Sequence, residues 1–160
     1  MYFEHLVEIN DLNNPVEAVL TIEELWAGMM LRVENPVPFL PGMESCKILA
    51  DGEGWAERCL NFGAAQIKDK VTWVSGKSTH FEIEPSSQHA GGSLTIQIEA
   101  HGTENALFLR FTYQTHHPAA QDDNQYTDYV KSAYQQSDLD MVRLIREWIA
   151  EGRHLRGLRH

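Results

Sequence analysis

Cysteine is scarce in this chain of 160 residues, which contains only Cys46 and Cys59. Two cysteines do not provide the disulfide framework of a small secreted protein. In the hairpin predicted around them they face each other if the register centres on residues 52–53, but that register also places Lys47 opposite Arg58, which is unfavourable. We therefore expect buried free thiols in a reducing compartment.

Long hydrophobic runs are also missing, since no apolar stretch approaches the ~20 residues that a membrane-spanning helix needs. The first ten residues hold Glu4 and Glu8 and no Lys or Arg. A secretory signal begins with a positively charged region, so we expect none here and a cytoplasmic location by default.

Positive charge is the third shortage: 13 Lys and Arg stand against 23 Asp and Glu, giving a formal net charge of −10. Such a surface repels phosphates and anionic lipid headgroups. The arginines at positions 153, 156 and 159 do not make a nucleic-acid footprint. We expect no nucleic-acid partner and no membrane span, while the oligomeric state stays open.

Sequence signatures of common cofactor and nucleophile sites are absent as well. Gly91-Gly92 lacks the spacing of a phosphate loop and most simply gives flexible entry to the next strand. No Gly-x-Ser-x-Gly elbow occurs. His80 and Glu82 share a strand face that points to solvent, and His116-His117 adds imidazoles without convergence, so we predict no metal site and no cofactor.

Residues that alternate in polarity predict seven strands. In the first, Tyr2–Ile9, the residues Phe3, His5, Val7 and Ile9 face inward. Short turn sequences separate the other six and make them antiparallel neighbours. These six are Ser45–Asp51, Trp55–Phe62, Ala65–Val74, Thr79–Glu84, Ser93–Ala100 and Leu107–His117.

Two segments have helical periodicity. Thr21-Ile-Glu-Glu24 predicts a capping box at the start of a helix that Asn35-Pro36 ends, followed by at most one short turn of helix. A long helix is predicted over Gln121–Gly152, with Gly152 as its C-cap. Its central apolar stripe is Tyr126, Val130, Ala133, Ser137, Met141, Leu144 and Trp148, widened by Tyr129, Tyr134, Val142, Ile145 and Ile149.

The order of elements (strand, helix, six strands, long helix) predicts one α+β domain over residues 1–152 with a C-terminal tail at 153–160. A sheet is the one surface large enough to cover the long helix. Together with the segments Met1–Asp11, Leu25-Trp26, His89–Thr95, Leu107–Tyr113 and Tyr129–Tyr134, this order resembles the AtaL-like subfamily of the Bet v 1-like, or START-like (SRPBCC), superfamily. The resemblance spans about Met1 to Ala150.

That resemblance implies a helix-grip fold, a curved seven-stranded antiparallel sheet wrapped around the C-terminal helix, with a cavity between the two. It implies no particular reaction and no catalytic residue. Related families bind lipids, sterols and plant hormones or cyclise polyketides, but transferring those roles is analogy from the fold alone.

Polar residues on inward strand faces are the main candidates for a site. His5 is either a core histidine bonded to backbone or a cavity residue. Asp69 either lines the cavity, forms an internal ion pair with Arg58, Lys47 or Arg110, or is turned outward by a bulge, because a buried carboxylate needs a partner. Tyr113 either holds a carbonyl or hydroxyl of a ligand or is an amphipathic core residue with its hydroxyl at the surface, and both interpretations stay open.

The predicted cavity residues combine these polar groups with apolar neighbours. An expected cavity mouth consists of Trp26, Met29 and Met30 on the first helix and Phe39 and Leu40 after it. The full set is His5, Trp26, Met30, Asp69, Val71, Trp73, Phe111, Tyr113, Val130 and Tyr134.

Three functions fit this sequence. The first is binding of a small hydrophobic or aromatic ligand in the cavity. The second is a cyclase- or hydrolase-type enzyme with Asp69 or His5 as the general base near Tyr113. The third is a protein-interaction module whose cavity is filled by its own side chains.

Overall fold

Seven strands form one antiparallel sheet in the computed structural model, which describes residues 1–87, 90–115 and 124–157, without side chains at 124–126 and 154–157. The strands are β1 (Tyr2–Glu8), β2 (Ser45–Gly52), β3 (Trp55–Asn61), β4 (Gln66–Val74), β5 (Ser78–Ile83), β6 (Gly92–Ala100) and β7 (Leu107–Thr115). Their spatial order is β1-β7-β6-β5-β4-β3-β2. The predicted antiparallel neighbours from β2 to β7 are confirmed, and β1 joins the sheet beside β7.

The first helix, α1, covers Ile22–Glu34 and begins as its sequence predicts. The Glu24 backbone N–H donates to Thr21 Oγ1 over 3.1 Å, and the Thr21 N–H donates to Glu24 Oε1 over 3.0 Å. This is the reciprocal pattern of a capping box. Asn35 ends the helix, and one short 3-10 helix follows at Val37–Phe39, as expected.

The second helix, α2, covers Asn124–Gly157 and is about 50 Å long at 1.5 Å per residue. It continues past Gly152, so that glycine is not the predicted C-cap; the expected N-terminal turn at residues 121–123 lies outside the described part. Neither described helix is long and apolar enough to cross a membrane.

One face of α2 is buried, but not the face centred on the predicted stripe. Its buried residues are Asp138, Met141, Val142, Ile145 and Ile149. Trp148 and Tyr129 are exposed instead. The reason is that α2 contacts α1 and β1 as well as the cavity. These contacts bury a face of α2 that is adjacent to the predicted stripe. Helical periodicity alone does not distinguish two adjacent faces of a helix.

The sheet curves around α2, and the inward faces of its strands form the core together with α1 and α2. This confirms the predicted helix-grip architecture. The core is continuous from Val7 in β1, through Val71, Ile96 and Phe111 in the middle of the sheet, to Ile145 in α2.

The two cysteines do not face each other. In the β2–β3 ladder Cys46 is opposite Leu60, and Lys47 is opposite Cys59, with a bulge between Ile48 and Ala50. Adjacent residues of a strand point to opposite faces, so the thiols lie on different sides of the sheet. Both are free and half-buried rather than buried.

Candidate functional site

A cavity of about 250 Å³ lies between the inner face of the sheet and the two helices. Apolar side chains form most of its wall, with a smaller number of polar groups among them. Its lining is Leu40, Leu60, Phe62, Ile67, Phe81, Ile83 and Leu94, with Gly91, Gly92, Ser93, Thr115 and Ser137, and with Arg32, Arg58, Asp69, Tyr113 and Tyr134.

Three of the ten predicted cavity residues border this space: Asp69, Tyr113 and Tyr134. The other seven lie outside its lining. Val71 and Phe111 are fully buried in the core, Trp26, Met30 and Trp73 pack against that core, and His5 and Val130 are half-buried. Leu40 from the expected mouth does contact the cavity.

Asp69 is held in an internal ion pair with Arg58, one of the three partners considered from the sequence. Arg58 Nε donates to Asp69 Oδ1 over 2.9 Å and Nη2 donates to Oδ2 over 2.6 Å. Both side chains are 2% exposed. A bidentate pair of this geometry satisfies the carboxylate on both oxygens, so Asp69 enters the cavity wall already neutralised.

Arg58 also closes the C-terminal end of α1. Its Nη1 donates to the backbone oxygens of Arg32 over 3.2 Å and Val33 over 2.9 Å. Carbonyls in the last turn of a helix have no partner within the helix, so a buried helix end needs such donors. The Arg58–Asp69 pair therefore joins the sheet to α1 at the edge of the cavity.

A second polar cluster consists of Tyr113, Asp138 and His5. The Tyr113 hydroxyl donates a short hydrogen bond to Asp138 Oδ1, and His5 Nδ1 lies 3.1 Å from Asp138 Oδ2. Asp138 is 0% exposed. His5 therefore bonds to a carboxylate on α2. The interpretation of His5 as a core histidine bonded to backbone is wrong.

Burial changes the acidity of this cluster. It raises the pKa of Asp138 from 3.8 to about 6, against the opposing effect of the hydrogen bonds from Tyr113 and His5. Burial, reinforced by the negative charge of Asp138, raises the pKa of the Tyr113 hydroxyl well above its usual range. Tyr113 therefore remains a neutral donor at the cavity wall, while Asp138 changes charge near neutral pH.

Aromatic rings surround this cluster and fix its geometry. The rings of Tyr113 and Tyr134 stack with centroids 4.0 Å apart and planes 3° from parallel. Phe3 stacks against both at centroid distances of 6.0 and 6.4 Å. Stacking holds the Tyr113 ring in one orientation, and its hydroxyl is thereby aimed at Asp138.

Arg32 supplies a buried positive charge between the two clusters. It is 7% exposed and borders the cavity. Its Nη1 donates to Met141 Sδ over 3.0 Å, a weak acceptor, and its Nε has no acceptor among the described residues. Its guanidinium carbon lies 5.4 Å from the centre of the Phe81 ring. Burial lowers the pKa of Arg32, although arginine stays protonated in proteins.

Arg32 and Asp138 were missed from the sequence, although a signal was present. Arg32 follows Leu25 and Met29 at helical spacing, and Asp138 precedes Met141 and Ile145 in the same way. A charged residue inside an apolar helical stripe is the counterpart of a charged residue on an inward strand face.

Two further features differ from or extend the sequence interpretation. Gly92 is not a flexible entry to β6: it has φ +146, and a Cβ there would lie 2.5 Å from the Gln114 backbone oxygen.

His80 contacts Thr95 and Glu82. In the described part of the chain, no three or more His, Cys, Asp or Glu residues lie close enough together to bind a metal ion. His116-His117 lies outside that part.

Several solved structures share this architecture. A di-domain aromatase/cyclase, StfQ from steffimycin biosynthesis, has TM-score 0.62 and 11% identity over 94% of this chain, which spans about half (51%) of that protein. The Zhui aromatase/cyclase from Streptomyces sp. R1128 has TM-score 0.60 and 11% identity, covering 92% of each chain. A point mutant of Thalictrum flavum norcoclaurine synthase has TM-score 0.63 and 13% identity, covering 92% and 94%.

These similarities show that the helix-grip fold is shared. The particular family follows from the sequence: residues 7–152 match the family model described as AtaL, acetylaranotin biosynthesis cluster protein L, and the chain belongs to that family. No curated protein matches the sequence significantly.

Proposed function

We propose that this protein binds a small hydrophobic or aromatic molecule in the cavity between the sheet and α2. The observation that carries the proposal is the cavity of about 250 Å³ with mostly apolar walls and a few oriented polar groups. Ligand pockets have this composition. Their volumes begin at roughly 300 Å³, so this cavity is small for a ligand pocket and suits a molecule of one or two rings.

The comparisons support a role connected with small molecules. The description of the family names a protein of a biosynthesis cluster. The three similar structures are named as two aromatase/cyclases and a synthase. Each of those structures is under 25% identical to this chain, so their reactions are not transferred with the fold.

An enzyme of the cyclase type is the second candidate, favoured by the Tyr113–Asp138–His5 cluster. A carboxyl group whose pKa is about 6 can release or accept a proton near neutral pH, which a general acid or base requires. Asp69 fits this role less well, because the Arg58 guanidinium holds both of its oxygens in an ion pair. Asp138 does not border the cavity itself but can exchange a proton with it through the Tyr113 hydroxyl, which does. An interaction module with a filled cavity has the least support, since the cavity is open space.

Blocking the cavity tests the binding function. We expect Leu40→Trp to fill the space and weaken binding of 2-naphthol, a neutral two-ring probe, at least about tenfold. Isothermal titration calorimetry measures the effect, and Leu139→Trp on the exposed side of α2 is the matched control. Unchanged affinity in the folded Leu40→Trp protein, or loss of binding in both variants, contradicts binding in this cavity.

Native mass spectrometry of protein purified from its own host, followed by organic extraction, identifies the ligand class. A stoichiometric small molecule supports the binding function.

We also propose a cytoplasmic location, no nucleic-acid partner and a domain that ends near residue 152. The net charge of −10 supports the absence of a nucleic-acid partner.

A further inference from the structure

One of the buried charges around the cavity, that of Arg32, has no partner in an ion pair among the described residues. Arg58 and Asp69 neutralise each other at 2.6 Å. Asp138 has both oxygens engaged by Tyr113 and His5. Arg32 remains, with no carboxylate within ion-pair distance in the described part of the chain and a thioether as the acceptor of its one hydrogen bond.

This arrangement is unusual for a buried guanidinium. Arginine carries five N–H donors in a planar fork, and burying its charge without a partner is costly. The Phe81 ring stabilises the positive charge from one side but accepts no conventional hydrogen bond. Carboxylates and other anions fit the fork best, because they accept two parallel hydrogen bonds.

We propose, on the basis of the binding function above, that Arg32 makes the cavity selective for ring compounds that carry an anionic group, such as an aromatic carboxylate. The apolar walls from Leu60, Phe81 and Leu94 hold the ring system. The Arg32 guanidinium binds the anionic group and acquires the acceptor that the protein itself does not supply.

Two probes of equal shape and different charge test this inference: 2-naphthoate and 2-naphthamide, titrated calorimetrically at pH 8. We expect the intact protein to bind 2-naphthoate about tenfold to a hundredfold more tightly, the range for a hydrogen bond to a charged group. Arg32→Met removes this preference, whereas Arg143→Met, which deletes an exposed arginine of α2, retains it.

The outcomes separate the inference from the function on which it rests. Equal affinity for both probes in the intact protein overturns the role of Arg32 and leaves cavity binding in place. A preference that persists in Arg32→Met also overturns it. Binding of neither probe overturns cavity binding itself. If Arg32→Met does not fold, Arg32→Gln decides: it removes the charge and keeps a polar side chain, and a preference for 2-naphthoate that persists in Arg32→Gln overturns the role of Arg32.

Discussion

At the scale of single residues, the buried charges decide what the cavity can do. Asp69 was predicted on an inward face with several alternatives open, and Arg58 is its partner. The pair is better understood as a structural tie between the sheet and the end of α1 than as a free acid in the cavity. A removed partner would leave Arg58 charged and buried.

We therefore expect Asp69→Asn to lower the free energy of unfolding by about 3 kcal/mol or more, the effect of breaking a buried ion pair. Glu82→Gln, on the neighbouring strand and exposed, is the control and changes stability by less than about 0.5 kcal/mol. Urea denaturation measures both. Equal, small effects of the two substitutions would show that Arg58 does not depend on Asp69.

Asp138 makes the stability dependent on pH. Its pKa is raised in the folded protein from 3.8 to about 6, so the folded state binds the proton more tightly than the unfolded state. The resulting stability is fully present below pH 3.8 and is lost as the pH rises through 6.

Asp138→Asn removes this titration while it keeps an oxygen that accepts from Tyr113. The unfolding free energy of the wild type, minus that of Asp138→Asn, should fall by about 2 kcal/mol between pH 4.5 and pH 7.5. Denaturation curves at a series of pH values measure this difference. A difference that does not change with pH would mean that Asp138 has an ordinary pKa in the folded protein.

At the scale of elements, the contact between α1 and α2 depends on one small residue. A Cβ on Gly28 would lie 2.5 Å from Ile145 Cγ2 and 2.8 Å from Ile145 Cγ1. Ile145 is fully buried and has little freedom to move aside. The absence of a side chain at Gly28 therefore sets how closely the helices approach, and through it the position of Arg32 one turn further along α1.

Gly28→Ala is expected to destabilise the protein by about 1–3 kcal/mol, because overpacking outweighs the gain in helix propensity of about 1 kcal/mol. A double-mutant cycle with Ile145→Ala is the control, since the smaller side chain makes room for the new methyl group. In that background the penalty should disappear. An equal penalty in both backgrounds would place the strain elsewhere than at Ile145.

At the scale of the whole molecule, the helix-grip fold keeps a space open that a smaller or flatter sheet would close. The larger polar groups of the cavity wall come from five separate elements: Arg32 on α1, Arg58 on β3, Asp69 on β4, Tyr113 on β7 and Tyr134 on α2. The cavity is therefore lost if any one of these elements is displaced. Ligand binding and the global stability of the fold should respond to the same conditions.

The sequence by itself determined the strands, the start of α1 and the antiparallel order, because these depend on local signals. Alternation in Tyr2–Ile9, the Thr21–Glu24 capping box and the short turns between strands act over a few residues. The structure confirms each of them to within a few residues. The inward position of Asp69 was fixed in the same way, by its place between Ile67 and Val71.

Only the tertiary structure decided which distant groups meet. The partners Tyr113 and Asp138 are 25 residues apart in sequence, and His5 and Asp138 are 133 apart. The register of β2 against β3 separated the cysteines, and the contact of α2 with α1 chose the buried face of the long helix. Periodicity predicts the buried face of each helix or strand, or the face adjacent to it. Which side chains contact each other across elements depends on how those elements pack, and packing is a property of the whole fold.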